Sequence, residues 1–111
     1  MTKYQELIAR IGKTEARIIK MVAEKAIGFG WSVSVGDGEE WPLKKSKDLD
    51  SIFAEVGHTD ETHFQFFRED AVVGSGYEKV GWVWFVHGND EDVVTDYTDN
   101  ERINELMVGV Y

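Results

Sequence analysis

Between residues 3 and 27 apolar side chains recur at Tyr4, Leu7, Ile8, Ile11, Ile18, Ile19, Val22 and Ala26, spaced by threes, fours and sevens. That is the stripe of an amphipathic helix, so the spacing predicts one long N-terminal helix. Lys and Arg fill much of its other face. Gly12 is a weak interior point, about 1 kcal/mol worse than Ala, where a bend or a close contact is expected. Gly28 and Gly30 end the helix. A basic amphipathic helix suits membrane surfaces or calmodulin-like partners. Here the strands that follow need a cover, and the expectation is a helix laid on a sheet.

From Trp31 the period changes to two. Trp31-Ser-Val-Ser-Val35 alternates as a half-buried strand does, and Gly36-Asp37-Gly38 turns the chain. A short returning strand is expected over 39–43, held to an edge by Pro42. A short helix runs from Ser46 to about Val56, with Ser46 or Asp48 as N-cap and Leu49, Ile52, Phe53 and Val56 as its buried stripe. Residues 62–68 form a strand with Phe64 and Phe66 on one face and His63, Gln65 and Phe67 on the other. Residues 70–79, with Gly74-Ser75-Gly76, are expected to be a mobile loop. Val80 to His87 is the most apolar strand. Both its faces are apolar, which predicts a central position covered on both sides, with Gly81 making room for a large side chain such as Trp31 or Trp41. After a turn at Gly88-Asn89-Asp90, residues 92–97 close a hairpin. Thr98 and Glu101 match a capping box, and Ile103, Leu106 and Met107 give the last helix its apolar side.

The order is helix, strand, short strand, helix, three strands, helix, with short connections throughout. The fold class is therefore α+β: a long N-terminal helix and two short helices packed on a four- or five-stranded, mainly antiparallel sheet. At 111 residues the chain is one domain, divisible into a basic helix (1–30) and an acidic, sheet-rich body (31–111).

Charge adds the strongest global signal. The net charge is −9, and it is unevenly spread: +3 over residues 1–30, −6 over 31–79 and −6 over 80–111. Such a body repels nucleic acid, whose binding rests on neutralising phosphates, and favours a basic protein partner. With no Cys, a disulfide scaffold, a Cys nucleophile, a zinc finger and an iron–sulfur site are excluded. The start of the chain has no signal-peptide pattern, and no apolar run approaches the roughly 20 residues of a membrane span. The expectation is a protein of a reducing compartment, without membrane contact.

Catalytic constellations are weak. No nucleophile elbow, P-loop or dinucleotide loop occurs. His58, His63 and His87 have no recognised metal spacing. If the strands at 62–68 and 80–87 pair antiparallel, His63 and His87 become cross-strand neighbours, and Asp60, Glu61 or Asp90 would have to complete a metal site. The acids near residue 90 do not follow a calcium-loop pattern. No cofactor and no metal are expected, and a metal-dependent enzyme is the least favoured class. What stands out is the set Asp90, Glu91, Asp92, Asp96, Asp99 and Glu101, with Asp37, Glu39, Glu40, Asp60, Glu61, Glu69 and Asp70 at turns and strand ends. Carboxylates on a rigid sheet can imitate the charge spacing of a duplex, one per about 1.7 Å of axis.

The run Val80-Gly-Trp-Val-Trp-Phe-Val-His-Gly-Asn-Asp90, followed by Val93-Val-Thr-Asp-Tyr-Thr-Asp-Asn100, resembles small uncharacterised proteins of tailed phages and prophages. Trp31–Val35, Asp37–Trp41 and Gly57–Glu61 fit as well, so the resemblance spans about 31–105. It implies a phage origin and the cytoplasm of a bacterial host, and no catalytic residue. Together these features predict a non-enzymatic phage accessory protein. Its acidic surface would bind a basic host protein, as a nucleic-acid mimic inhibiting a defence or nucleic-acid-handling factor. The alternative is an assembly module that forms a homodimer through an exposed strand or an aromatic patch such as Trp41 with Phe67.

Overall fold

The computed structural model describes residues 1–70 and 76–110. In them the chain forms helices α1 (Lys3–Ile11), α2 (Lys13–Gly28), α3 (Leu49–Glu55) and α4 (Glu101–Met107). The strands are β1 (Ser32–Gly36), β2 (Leu43–Ser46), β3 (Glu61–Asp70), β4 (Gly76–Val86) and β5 (Val94–Tyr97), with one 3₁₀ turn at Asp90–Asp92. The sheet has the order β2-β1-β3-β4-β5, antiparallel throughout. The class is α+β. No described helix is long and apolar enough to cross a membrane.

The expected single N-terminal helix is two. Gly12 takes φ 89° and ψ 163°, closing α1 as its C-cap and opening α2 as its N-cap. Positive φ suits glycine, and one such residue breaks the helix without shifting the apolar stripe by more than a position. Two basic residues of these helices meet carbonyls at the ends of others. Arg10 donates to Phe53 O at 2.6 Å and Val56 O at 3.0 Å, at the end of α3. Lys25 donates to Val108 O at 2.6 Å, at the end of α4. Cations there also complement the helix dipole.

All four helices serve one face of the sheet. Val33, Val35, Phe64, Phe66, Val83 and Phe85 point into that core, joined by Leu7, Ile18, Ile19, Val22, Ile52, Ile103 and Leu106. Several boundaries depart from expectation. The returning strand lies at 43–46 rather than 39–43, so Pro42 precedes it and removes no ladder donor. Of the two expected caps Asp48 is the one used, its carboxylate accepting from Ser51 N at 3.2 Å, so α3 starts at Leu49 rather than at Ser46. Residue 70 belongs to β3 and residues 76–79 to β4 instead of a loop, and the rest of that expected mobile segment, 71–75, lies outside the described residues. A bulge explains the misreading: Phe66 pairs with Gly81 but Phe67 with Lys79, which leaves Val80 as an extra residue and shifts the period. Residues 90–92 form the 3₁₀ turn, so β5 starts only at Val94.

The Gly81 contact is made by α4. A Cβ there would lie 2.5 Å from Ile103 Cγ1 and 3.0 Å from Thr98 Oγ1, so the large neighbour is neither Trp31 nor Trp41. Trp41 packs over Gly36 instead, 2.7 Å from where a Cβ would stand. Thr98 is not the cap of α4, because its hydroxyl is taken by Trp82 N at 2.9 Å. Asn100 caps α4 by accepting from Ile103 N at 2.9 Å, and its amide also donates to Val80 O at 3.0 Å.

Candidate functional site

Three places carry polar chemistry, and the fold treats each differently. The first is internal. Glu15 stands on the buried side of α2, 1% exposed. Its Oε2 accepts three successive backbone N–H groups, from Gly88 at 2.9 Å, Asn89 at 3.1 Å and Asp90 at 3.0 Å. Its Oε1 lies 2.9 Å from His87 Nδ1. Because a carboxylate only accepts, Nδ1 donates, and in the neutral ring Nε2 accepts from the Thr62 hydroxyl at 2.7 Å. Thr62 Oγ1 in turn accepts from Gly57 N at 3.1 Å. Successive N–H groups in such a turn form an anion-binding nest. Gly88 at φ 92° and Asp90 at φ 50° supply its curvature.

The hydroxyl–imidazole–carboxylate order matches that of a nucleophile, base and orienter. Yet Thr62 is 1% exposed, and its oxygen is already engaged by Gly57. The relay ties α2, β3 and the β4–β5 turn together. The sequence held a signal for it: position 15 falls on the apolar stripe between Ile11 and Ile18, where an acid needs a partner.

The second place is the face of the sheet that none of the described helices covers. The register puts Gly36, His63, Trp84 and Asp96 in one row across the strands, and Ser34, Gln65 and Trp82 in the next. Trp82 and Trp84 are half-buried, so β4 is not covered on both sides as its composition suggested. His63 stacks on Trp84 at 5.5 Å between ring centres, and its Nε2 lies 2.9 Å from Glu61. The indole N–H of Trp84 is buried without an acceptor among the described residues. Asp37, Glu39, Asp60 and Glu61 surround these rings in an open hollow of about 560 Å³. The Asp37 carboxyl is held below the usual range because it accepts from the backbone N–H groups of Glu40 and Glu39. At the other end of this face Lys45 Nζ sits 4.7 Å from the Phe67 ring centre and 5.5 Å from that of Tyr77. Trp41, over Gly36, and Phe67 therefore share this face.

The sheet separates the histidines expected to be neighbours. His63 lies on the open face opposite Trp84, whereas His87 turns towards α2 on the covered face, its backbone N–H bonded to Asp60 O at 2.8 Å. His58 Nε2 bonds Ala54 O at 2.6 Å, outside both sites. Among the described residues no three His, Cys, Asp or Glu side chains gather as metal ligands would.

The third place is the acidic ridge. Asp90, Glu91 and Asp92 lie on the 3₁₀ turn, Asp96 on the edge strand β5, and Asp99 and Glu101 at the start of α4. All six are exposed. Among the described residues none of them is in ion-pair range of a base. By contrast Glu78 bonds Arg68 at 2.7 Å and Arg102 at 3.3 Å. Asp37, Glu39 and Glu40 form a separate group at the far side of the sheet's same end.

No family model matches the chain, and the comparisons with curated proteins and with solved structures find no match either.

Proposed function

We propose that the protein is a non-enzymatic binding module, a phage accessory protein whose acidic ridge docks on a basic host protein. In this reading the ridge occupies a nucleic-acid-binding surface and thereby inhibits a defence or nucleic-acid-handling factor. One observation carries it: six carboxylates stand exposed along residues 90–101 without an ion pair among the described residues, on a segment fixed at both ends. At one end the Glu15 nest holds the 90–92 turn. At the other, Thr98 and Asn100 pin the start of α4 to β4. A rigid array of charge loses little entropy on binding and speeds encounter with an opposite surface. The resemblance of residues 80–100 to phage proteins supports the setting.

The test is capture from nuclease-treated bacterial lysate on the immobilised protein, washed at low and then high salt. The expected result is a basic nucleic-acid-binding protein that elutes with salt and, once isolated, loses DNA binding when this protein is added. A resin that retains nothing at either salt, or a captured protein that still binds DNA, contradicts the proposal.

A further inference from the structure

The uncovered sheet face is polarised along its strands. At one end Asp37, Glu39 and Glu61 surround the Trp84–His63 stack. At the other stand the Lys45 ammonium, over Phe67, and Lys79, beside a single exposed acid on the same face, Glu69. Lys45 is held in the left-handed region at φ 50°, uncommon for a side chain other than Asn or Asp. It sits in the irregular stretch between the Val33–Ser46 and Val35–Leu43 pairs, and its N–H bonds Ser34 Oγ at 2.9 Å. That conformation lays its side chain across the open face. Half-buried Trp82, Trp84 and Phe67 lie between the two ends.

Such a face complements itself. Consider a second copy turned by 180° about an axis in the interface, crossing the strands at the level of the Gln65–Trp82 pair. The operation keeps β5 over β5 and exchanges the two ends of the strands. The Lys45 ammonium of each copy then lies over the acidic hollow of the other, and each Lys79 lies near the other's Asp96. The alternative axis, along the strands, sets acid over acid. Five strands at about 4.8 Å spacing, the longest running about 33 Å, make a footprint of about 500–800 Å² per copy, in which Trp41 lies over the end of β1 and the β1 side chains Ser32 and Ser34 are already buried. Stable interfaces bury about 800 Å² per partner. Two sheets packed this way form a sandwich about 10 Å thick between backbones.

The geometry points to a homodimer through the open sheet face, in which the occupant of the Trp84–His63 hollow is Lys45 of a second copy. It rests on the open face rather than on the ridge, of which only Asp96 borders that face.

The test is mass in solution by sedimentation at 0.15 M salt, where a screening length of about 8 Å limits repulsion between two copies of charge −9. The expected result is a species of twice 12.7 kDa. Lys45→Glu should raise the dissociation constant about 10–100-fold, and the added Glu61→Lys should restore it, because across the two-fold the reversed charges meet again. Gln65→Glu, which keeps the side chain's size, sets two carboxylates across the axis and should also weaken the dimer. Far-UV circular dichroism confirms that each variant is folded. A strictly monomeric wild type at several hundred micromolar overturns the proposal. So does a dimer indifferent to both Lys45→Glu and Gln65→Glu.

Discussion

Two kinds of carboxylate meet at one turn, and the fold handles them in opposite ways. Glu15 is fully enclosed and meets four donors, three from backbone and one from His87. The ridge acids that begin on the same turn meet no base among the described residues. One charge is spent on holding the structure together. The others are held in place by the structure and contribute little to it. Asp90 joins the two, its backbone N–H inside the nest and its side chain outside.

The largest effect expected on that contrast comes from Glu15. Glu15→Ala leaves three N–H groups and the His87 ring without their acceptor, and should destabilise by about 3 kcal/mol or more in chemical denaturation. Glu15→Gln keeps one acceptor and should cost less. A cost below about 0.5 kcal/mol for Glu15→Ala would show that the nest is dispensable. Next is Gly81→Ala, whose Cβ would meet Ile103 Cγ1 at 2.5 Å. A loss of about 1–3 kcal/mol is expected from overpacking, and it should be smaller in an Ile103→Ala background, which removes Cγ1. An equal loss in both backgrounds would mean that the α4 contact is not the cause.

A smaller effect concerns pH. Asp48 and Glu78 titrate below their usual range, Asp48 because the Ser51 hydroxyl bonds its carboxylate and Glu78 because Arg68 does. A lowered carboxylate pKa contributes stability above the ordinary range near pH 4. That contribution is lost as the pH falls through the folded-state value. Asp48→Asn retains a good N-cap but removes the titration, so its melting temperature should fall less steeply on acidification than that of the wild type. Parallel acid limbs would contradict this.

The smallest effect is predicted for the ridge. Glu91→Gln, Asp92→Asn and Asp99→Asn together should change stability by no more than about 0.5 kcal/mol. At low salt the change should be a slight gain, from relief of like-charge repulsion. A loss above 1 kcal/mol in thermal unfolding would make these acids structural.

The covered half of the molecule was legible from periodicity. The stripe of α2, the Phe64/Phe66 face and the α3 stripe all follow spacing, because burial on one face imposes a period. Legibility failed where a single residue changes the backbone. Gly12 breaks a helix whose stripe runs on, and the Val80 bulge disguises four strand residues as loop. At Thr98 and Asn100 two good caps stood two positions apart, and only the pull of Trp82 on Thr98 decided between them. The uncovered face was misread because apolar residues on both sides of β4 resemble a buried strand, and sequence alone does not count helices per face. The run from Val80 to Asn100 maps largely onto fold-making positions: Gly81 admits Ile103, Gly88-Asn89-Asp90 holds Glu15, and Thr98 and Asn100 anchor α4. The ridge acids themselves were visible as composition. Their exposure and their lack of ion pairs among the described residues required the structure.

The most direct measurement sets wild type beside the variant Glu91→Lys, Asp92→Lys, Asp99→Lys, both immobilised and shown by circular dichroism to be folded, in the same nuclease-treated bacterial lysate. A ridge built for recognition predicts a basic protein retained by the wild type at low salt, released at high salt and absent from the variant. Equal retention on both resins would contradict it.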